Sequence, residues 1–379
     1  MEAAALKKND RNPQTQDSKT KSLNDSLPSS TFPFLTIVMP VRNEARFIKT
    51  TLHQLLAQDY PQDRYEIIVA DGESTDDTQQ LVLEMAQRHA QVRLMENPGR
   101  FPSSGRNLGF KNGRGDIFVV IDGHCYIPDH QYFKAIVFCF EKSHADCLGR
   151  PQPLDPPELT PFQEAVALAR ASRIGHSGDS FIYSLFEGFI SPVSNGFAYK
   201  KEVFSKTGYV DERFDACEDV EFNYRVEKAG LKCYTSPELA VRYYPRENKQ
   251  GLFKQMNRYG QGRFKFIRKH PDSLDLNQFI PALWVCGLLF LLILGLWILN
   301  FRPTSFWSPI TMTFGGLSII YGLYLLVILV ESFRIGMNKG FRYVRFLSSI
   351  FLVIHFGLGY GFLKEGVLSI GLTRKGSTQ

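Results

Sequence analysis

Asp122, Gly123 and His124 set a carboxylate and an imidazole two residues apart with a glycine between them. They follow Ile117 to Ile121, a β-branched and aromatic run with the length and composition of a buried strand. In an open α/β sheet, ligands sit outside the carboxyl ends of the strands. An acid and a metal-capable imidazole at such a place suit a divalent cation and the phosphates it carries. Standing alone, the tripeptide reads as a solvated loop after a core strand. Its surroundings change that reading.

The elements that must position these groups are legible on either side. Phe34 to Met39 reads as a strand stopped by Pro40, followed by Val41-Arg42-Asn43-Glu44 and a helix over Ala45 to Gln58. A second strand, Tyr65 to Ala70, runs into the polar stretch Asp71-Gly72-Glu73-Ser74-Thr75-Asp76-Asp77-Thr78, and then a helix carries Leu81, Val82, Met85 and Ala86. Gln91 to Met95 is a third strand, and Ser103 or Ser104 is placed to cap a helix starting near Gly105. Strands alternating with helices predict βαβ units, a mainly parallel sheet and a doubly wound α/β domain. Three strands therefore end in polar clusters, Pro40 to Glu44, Asp71 to Asp77 and Asp122 to His124, on one sheet edge. One acid after a strand is an ordinary turn or N-cap residue, as Asp76 or Asp77 can be. Three such clusters favour a site.

Further along, Pro151 to Pro161 is a loop, Phe162 to Arg173 a helix, and Ser194 to Tyr199 a return into the sheet. Gly175 to Ser180 reads as a mobile loop whose His176 is a minor candidate for ligand contact. Glu218 and Asp219 open a helix that passes through Phe222 and Val226 and ends at Gly230. Their charge could merely complement the helix dipole. With Asp215 they also form a carboxylate cluster in which one member can act as general base.

The whole chain has 379 residues and a net charge of +6, room for one large α/β domain and something more. Residues 1–33 are polar and are expected to form a disordered tail, with no apolar segment of a cleaved signal after Met1. Six cysteines without CxxC spacing fit free thiols in a reducing compartment. From Arg242 to His270 the chain is basic and aromatic, which nucleic-acid binding would explain. The apolar sequence beyond it argues for a membrane instead. Three runs, 279–301, 309–330 and 346–363, are candidate transmembrane helices, the third weaker and containing His355, with 364–379 a short tail. The link after the second run carries Arg334, Lys339, Arg342 and Arg345, so the positive-inside rule puts the large domain in the cytoplasm of a multi-pass inner-membrane protein. The basic segment 241–278 then meets anionic headgroups.

Taken in order, these motifs resemble inverting family-2 glycosyltransferases of the GT-A fold, over Phe34 to His270. Ile37 to Glu44 resembles their opening motif, Asp71-Gly72-Glu73-Ser74-Thr75-Asp76 their Asp-Gly-x-Ser-x-Asp, and Asp122-Gly123-His124 stands where their Asp-x-Asp falls. Glu218-Asp219 is similar to their acceptor-site acids, and Gln255-Met256-Asn257-Arg258-Tyr259 to their Gln-x-x-Arg-Trp with Tyr for Trp. The Asp-Gly-His triplet, Arg106-Asn107-x-Gly109 and Tyr259-Gly260-x-Gly262-Arg263 resemble bacterial exopolysaccharide transferases of the succinoglycan glucosyltransferase type. The resemblance implies a GT-A catalytic domain over 34–240 and a nucleotide-sugar donor, UDP-linked by expectation. It assigns Pro40, Arg42, Glu44, Asp71, Arg106 and Asp122 to the donor, and Asp122 with His124 to a Mn²⁺ or Mg²⁺ ion. Asp219 would be the catalytic base, with Glu218, Gln255, Arg258 and Tyr259 near the acceptor and the leaving diphosphate. The implied product is one sugar added to a lipid-linked saccharide or glycolipid in exopolysaccharide or envelope-glycan synthesis. His124 in place of the second Asp leaves the metal preference open, since imidazole suits Mn²⁺ better than Mg²⁺.

Two other readings compete with that one. A processive polysaccharide synthase is a second enzyme reading, disfavoured by Tyr259 in place of Trp and by the absence of spans before the domain. A nucleotide-binding membrane scaffold without catalysis would leave the acidic motifs unexplained.

Overall fold

The structure, a computed structural model, describes residues 32–175, 181–301 and 308–376. The expected tail up to residue 31, and His176 with the rest of its loop, lie outside them.

The first half winds as the alternation predicts. Its elements are β1 (Leu35–Val41), α1 (Ile48–Leu56), β2 (Tyr65–Asp71), α2 (Thr78–Arg88), β3 (Val92–Glu96), α3 (Pro102–Asn112) and β4 (Ile117–Val120). There follow β5 (Cys125–Tyr126), α4 (Tyr132–Ser143), β6 (Cys147–Gly149), α5 (Pro161–Arg170), β7 (Gly188–Ile190), α6 (Pro192–Asn195), β8 (Gly196–Lys200) and α7 (Lys201–Thr207). Then come α8 (Glu218–Lys228), β9 (Cys233–Thr235), β10 (Arg242–Tyr243) and α9 (Lys249–Lys269). The main sheet has the order β3-β2-β1-β4-β8-β6-β9-β7. β1 pairs in parallel with β2 and β4, and β2 with β3, whereas β8 lies antiparallel between β4 and β6. Central strands such as Ile37 to Met39 and Ile67 to Val69 are fully buried, with one apolar layer on each face of the sheet. Burial on both faces is why these segments read as continuous apolar runs.

Three local expectations change. Pro40 does not stop β1, which runs to Val41 and pairs Pro40 with Ala70. Pairing to β4 ends at Val38, so beyond it the strand has one partner only and a residue without an N–H is tolerated. Ser103 and Ser104 do not cap α3. Phe101 is its N-cap and Pro102 its first residue, the position proline's fixed φ suits, while Ser104 Oγ donates to Asn97 Oδ1 at 2.7 Å. The helix expected from Ala45 starts only at Ile48, after a turn in which the Glu44 and Ala45 amides donate to Thr78 Oγ1 (2.8 Å) and Asp76 Oδ2 (3.1 Å).

Three further helices, α10 (Ile280–Phe301), α11 (Pro309–Lys339) and α12 (Val344–Gly376), are long and apolar enough to cross a membrane. The third is longer than the 346–363 run and continues through residues expected to be tail. α10 and α11 expose Leu283, Leu292, Leu299, Ile319 and Val327, an apolar exterior that suits lipid. α12 instead packs along α9, and the seam is made by glycines. A Cβ on Gly260 would strike the Leu358 carbonyl, and one on Gly361 would strike the Asn257 carbonyl. The backbones of α9 and the third apolar helix therefore approach closely along this seam.

Candidate active site

The three polar clusters predicted on one sheet edge are laced together. Asn43, in the left-handed region at φ 57, donates its amide to Ser74 Oγ (2.9 Å) and takes the Thr75 amide on Oδ1 (2.7 Å). Asn tolerates that conformation better than most residues, so the sequence already favours the turn. Asp71 is buried and accepts from the Ser74 amide (3.0 Å), the Ser74 hydroxyl (2.5 Å) and Gln79 Nε2 (2.6 Å). Most of its acceptor capacity is thus committed within its own loop. Arg42 points outward from the same edge and forms no ion pair with the described residues.

Glu44 turns toward the Asp122-Gly123-His124 loop. Its Oε1 lies 2.7 Å from His124 Nδ1. With Nδ1 donating its hydrogen to that carboxylate, the neutral ring keeps its lone pair on Nε2. A carboxylate behind an imidazole is the arrangement that orients a metal-binding histidine. Burial opposes charge on His124, but the Glu44 bond and the charges of Glu44 and Asp122 hold its pKa above the usual imidazole value. Burial likewise opposes charge on Asp122; His124, Arg106, Arg150 and the Tyr243 hydroxyl together outweigh it and keep the carboxyl below its usual range.

Arg150 and Tyr243 were invisible as site residues in the sequence. Arg150 follows β6 and is 2 % exposed. It donates to the Val120 carbonyl at 2.9 Å and to the Tyr243 hydroxyl, and its guanidinium stands 4.7 Å from the Phe197 ring. Tyr243 belongs to the basic and aromatic run read as membrane interface, yet it lies buried in β10 opposite Cys125, its ring edge-on to His124 at 6.0 Å. An arginine ending a strand on the loaded edge was the available signal, but three-residue β6 was too short to recognise.

Glu218 and Asp219 are set by α3 and α8. Arg106 pairs with Glu218 Oε1 at 3.1 Å, and its Nε has no partner among the described residues. Asn107 takes the Val210 amide at 2.9 Å and donates to the Val210 carbonyl (2.9 Å) and Glu212 Oε1 (2.7 Å), which fixes the approach to α8. Gly109 lets α3 lie on Val38 of β1, where any Cβ would collide. Cys217, the N-cap of α8, takes φ 59, a strained value for a non-glycine and one that clusters at functional sites. Burial first, and then the charge of Asp219, raise the Glu218 carboxyl against the pull of Arg106. Asp219 is half-buried and uses Oδ1 for the Val220 amide at 2.8 Å, while among the described residues Oδ2 makes no hydrogen bond.

The Gln-x-x-Arg-Tyr motif lies on α9. Arg258 donates to the Asp215 carbonyl, with Nε 3.6 Å from Asp215 Oδ2, so it clamps the loop that leads into α8. Gln255 Nε2 reaches Tyr259 Oη at 3.3 Å. Among the described residues no group of three His, Cys, Asp or Glu side chains converges to hold a metal.

Comparison with known proteins agrees with this architecture. A family model described as glycosyl transferase family 2 matches residues 36–204. A dolichyl N-acetyl-alpha-D-glucosaminyl phosphate 3-beta-D-2,3-diacetamido-2,3-dideoxy-beta-D-glucuronosyltransferase of Methanococcus voltae is 26% identical over 339 residues, covering 87% of this chain and 96% of that protein. The succinoglycan biosynthesis protein ExoA of Rhizobium meliloti (strain 1021) is 30% identical over 247 residues, covering 65% of this chain and 73% of that protein. Among solved structures, the mannosyltransferase PcManGT of Pyrobaculum calidifontis, in complex with GDP-Man and Mn²⁺, superposes with a TM-score of 0.52 at 17% identity, covering 91% of this chain and 94% of that one; it shows the shared fold. With its GT-A-like sheet, its motifs in order and a 30% identical relative matched over most of that relative's length, the chain belongs to glycosyl transferase family 2.

Proposed function

We propose that this glycosyltransferase moves one sugar, with inversion, from a nucleotide-sugar donor (a UDP-sugar by expectation) to a lipid-linked saccharide at the cytoplasmic face of a membrane. The observation that carries the reading is that Asp122, Glu218 and Asp219 all act on the one buried guanidinium of Arg106, so two groups of acids converge there. The first is Asp122 with His124, the latter backed by Glu44. The second includes Asp219, at the start of a helix whose first turn is tied to α3 through the Arg106–Glu218 pair.

Asp219 Oδ2 takes the acceptor hydroxyl proton as the oxygen attacks the anomeric carbon. The bond from that carbon to the donor diphosphate breaks on the opposite face, and the nucleoside diphosphate leaves. One base and no covalent enzyme intermediate give inversion. Asp122 and His124 would hold a divalent cation, through a carboxylate kept ionised and an imidazole oriented by Glu44. When bound, the ion neutralises charge on the leaving diphosphate. Pro40, Arg42 and Asp71 shape the nucleotide end; with three hydrogen bonds already on it, Asp71 acts there mainly by fixing its loop.

The lipid-linked acceptor is supported by the name of the Methanococcus voltae relative, a transferase acting on a dolichyl sugar phosphate, and by the three apolar helices beside the domain. The basic residues Arg334, Lys339, Arg342 and Arg345 around the α11–α12 junction support a cytoplasmic domain. The test is a membrane assay across UDP- and GDP-sugars with polyprenyl-linked saccharide acceptors, run with Mn²⁺, Mg²⁺ and EDTA. Metal-dependent addition of a single inverted sugar is expected. Turnover unaffected by EDTA, or long polymer products, would sink the reading.

A further inference from the structure

Arg170 closes α5. It is half-buried, and its guanidinium carbon stands 5.8 Å from the Tyr183 ring and 6.0 Å from the Tyr259 ring. No carboxylate among the described residues pairs with it; its polar neighbours are the uncharged Tyr183 and Tyr259 hydroxyls, the second of which hydrogen-bonds it. Other partly buried arginines are matched, Arg106 by Glu218 and Arg225 by Glu221. Arg106 and Arg150 also feel Asp122, whereas Arg170 feels neither Asp122 nor Asp219. It is a separate centre of positive charge, and a cation withdrawn from water without an anion is costly.

Its position says where the anion comes from. Ala165, Val166 and Ala169 of α5 share one apolar cluster with Ile328 and Ile335 of α11 and with Leu347, Phe351 and Ile354 of α12. The other end of α5 is tied down by Glu164, whose Oε2 accepts from Tyr343 Oη at 2.9 Å and from Arg342 at 3.1 Å. Just past Arg170, the Ile174 carbonyl lies 2.7 Å from Nε2 of His355, inside the third apolar helix. α5 thus lies along the membrane helices, and Arg170 stands where they meet the Gln255–Tyr259 turn of α9. A phosphate reaching this point arrives from the lipid side.

The geometry points to Arg170, flanked by Tyr183 and Tyr259 and with Gln255 beside Tyr259, as the binding site for the phosphate of a prenyl-linked acceptor, apart from the site that holds the donor diphosphate. The inference rests on the proposal of a lipid-linked acceptor. A planar guanidinium presents a donor fork that matches two phosphate oxygens at once. Holding the phosphate there would lay the acceptor sugar toward Asp219, because Arg258 of the same helix turn grips the loop that leads into α8, which carries Asp219.

The test is binding, without turnover, to the full-length protein in phosphatidylcholine nanodiscs, using farnesyl phosphate, farnesol and UDP with Mn²⁺. Farnesyl phosphate is expected to bind roughly tenfold or more tightly than farnesol, as a charge-assisted contact requires. Arg170→Gln is expected to remove that advantage while UDP affinity stays within about twofold. Loss of UDP affinity instead would assign this cation to the donor, and an unchanged farnesyl phosphate affinity would remove it from the acceptor; either overturns the inference. If Arg170→Gln fails to fold, Arg170→Lys keeps the charge without the fork and must weaken farnesyl phosphate several-fold with UDP unaffected. A wild type that binds farnesyl phosphate through Arg170 but transfers no sugar to any prenyl-linked acceptor defeats the transferase reading and leaves this one standing.

Discussion

His124 Nδ1 and Glu44 Oε1 lie 2.7 Å apart, so residues from the ends of two neighbouring strands act as one unit. Substituting Glu44 by Gln should weaken Mn²⁺ by about 10–100-fold, the usual cost of losing a carboxylate behind a ligating histidine. His124→Ala should cost more. Mn²⁺ titration of the transfer reaction reads both, and an unaffected Glu44→Gln variant would remove the coupling from function.

Asp219→Asn keeps the size of the side chain and removes the base. Turnover should fall by roughly 10²–10⁴-fold. Binding of UDP should survive, since Asp219 does not belong to the Asp122–His124 pair. Equal loss of both activities would mean that Asp219 serves the donor.

Glu221 gives a pH prediction of its own. It is fully buried and accepts from Arg225 Nε (2.9 Å) and Lys269 Nζ (2.7 Å), with His270 Nε2 3.0 Å away. Burial would raise its carboxyl, but these three partners hold it below the ordinary value. A depressed acid stabilises the fold above its unfolded pKa, and that contribution is lost as pH falls through the folded one. Thermal midpoints should therefore drop on acidification below about pH 4, and less steeply in Glu221→Gln. Glu221→Ala, which leaves half-buried cations unpaired, should cost about 1–3 kcal/mol at neutral pH.

The glycine seam predicts a contrast within the membrane helices. Gly361→Leu forces a side chain into Asn257 of α9 and should cost about 1–3 kcal/mol by overpacking, with loss of transfer as the motif helix shifts. Gly315→Leu and Gly316→Leu, with nothing within 4 Å, should leave midpoint and activity near wild type. Thermal scans in detergent with parallel assays would separate the two classes.

The sequence by itself determined the doubly wound half, the loaded edge of β1, β2 and β4, and the apolar helices. The reason is local: continuous apolar runs, polar strand ends and long uncharged stretches each carry their signal within a few neighbouring residues. It was less informative past residue 125. There β6, β7 and β9 have three residues each and are held by register with distant partners rather than by their own propensity. Only the tertiary structure decided that Arg150 and Tyr243 sit behind Asp122, that Glu44 belongs to His124, that Arg106 is taken by Glu218, and that Arg170 meets Tyr259 across α5 and α9. Each of these pairs spans tens of residues or more along the chain, and their charges interact because folding withdraws them together from water.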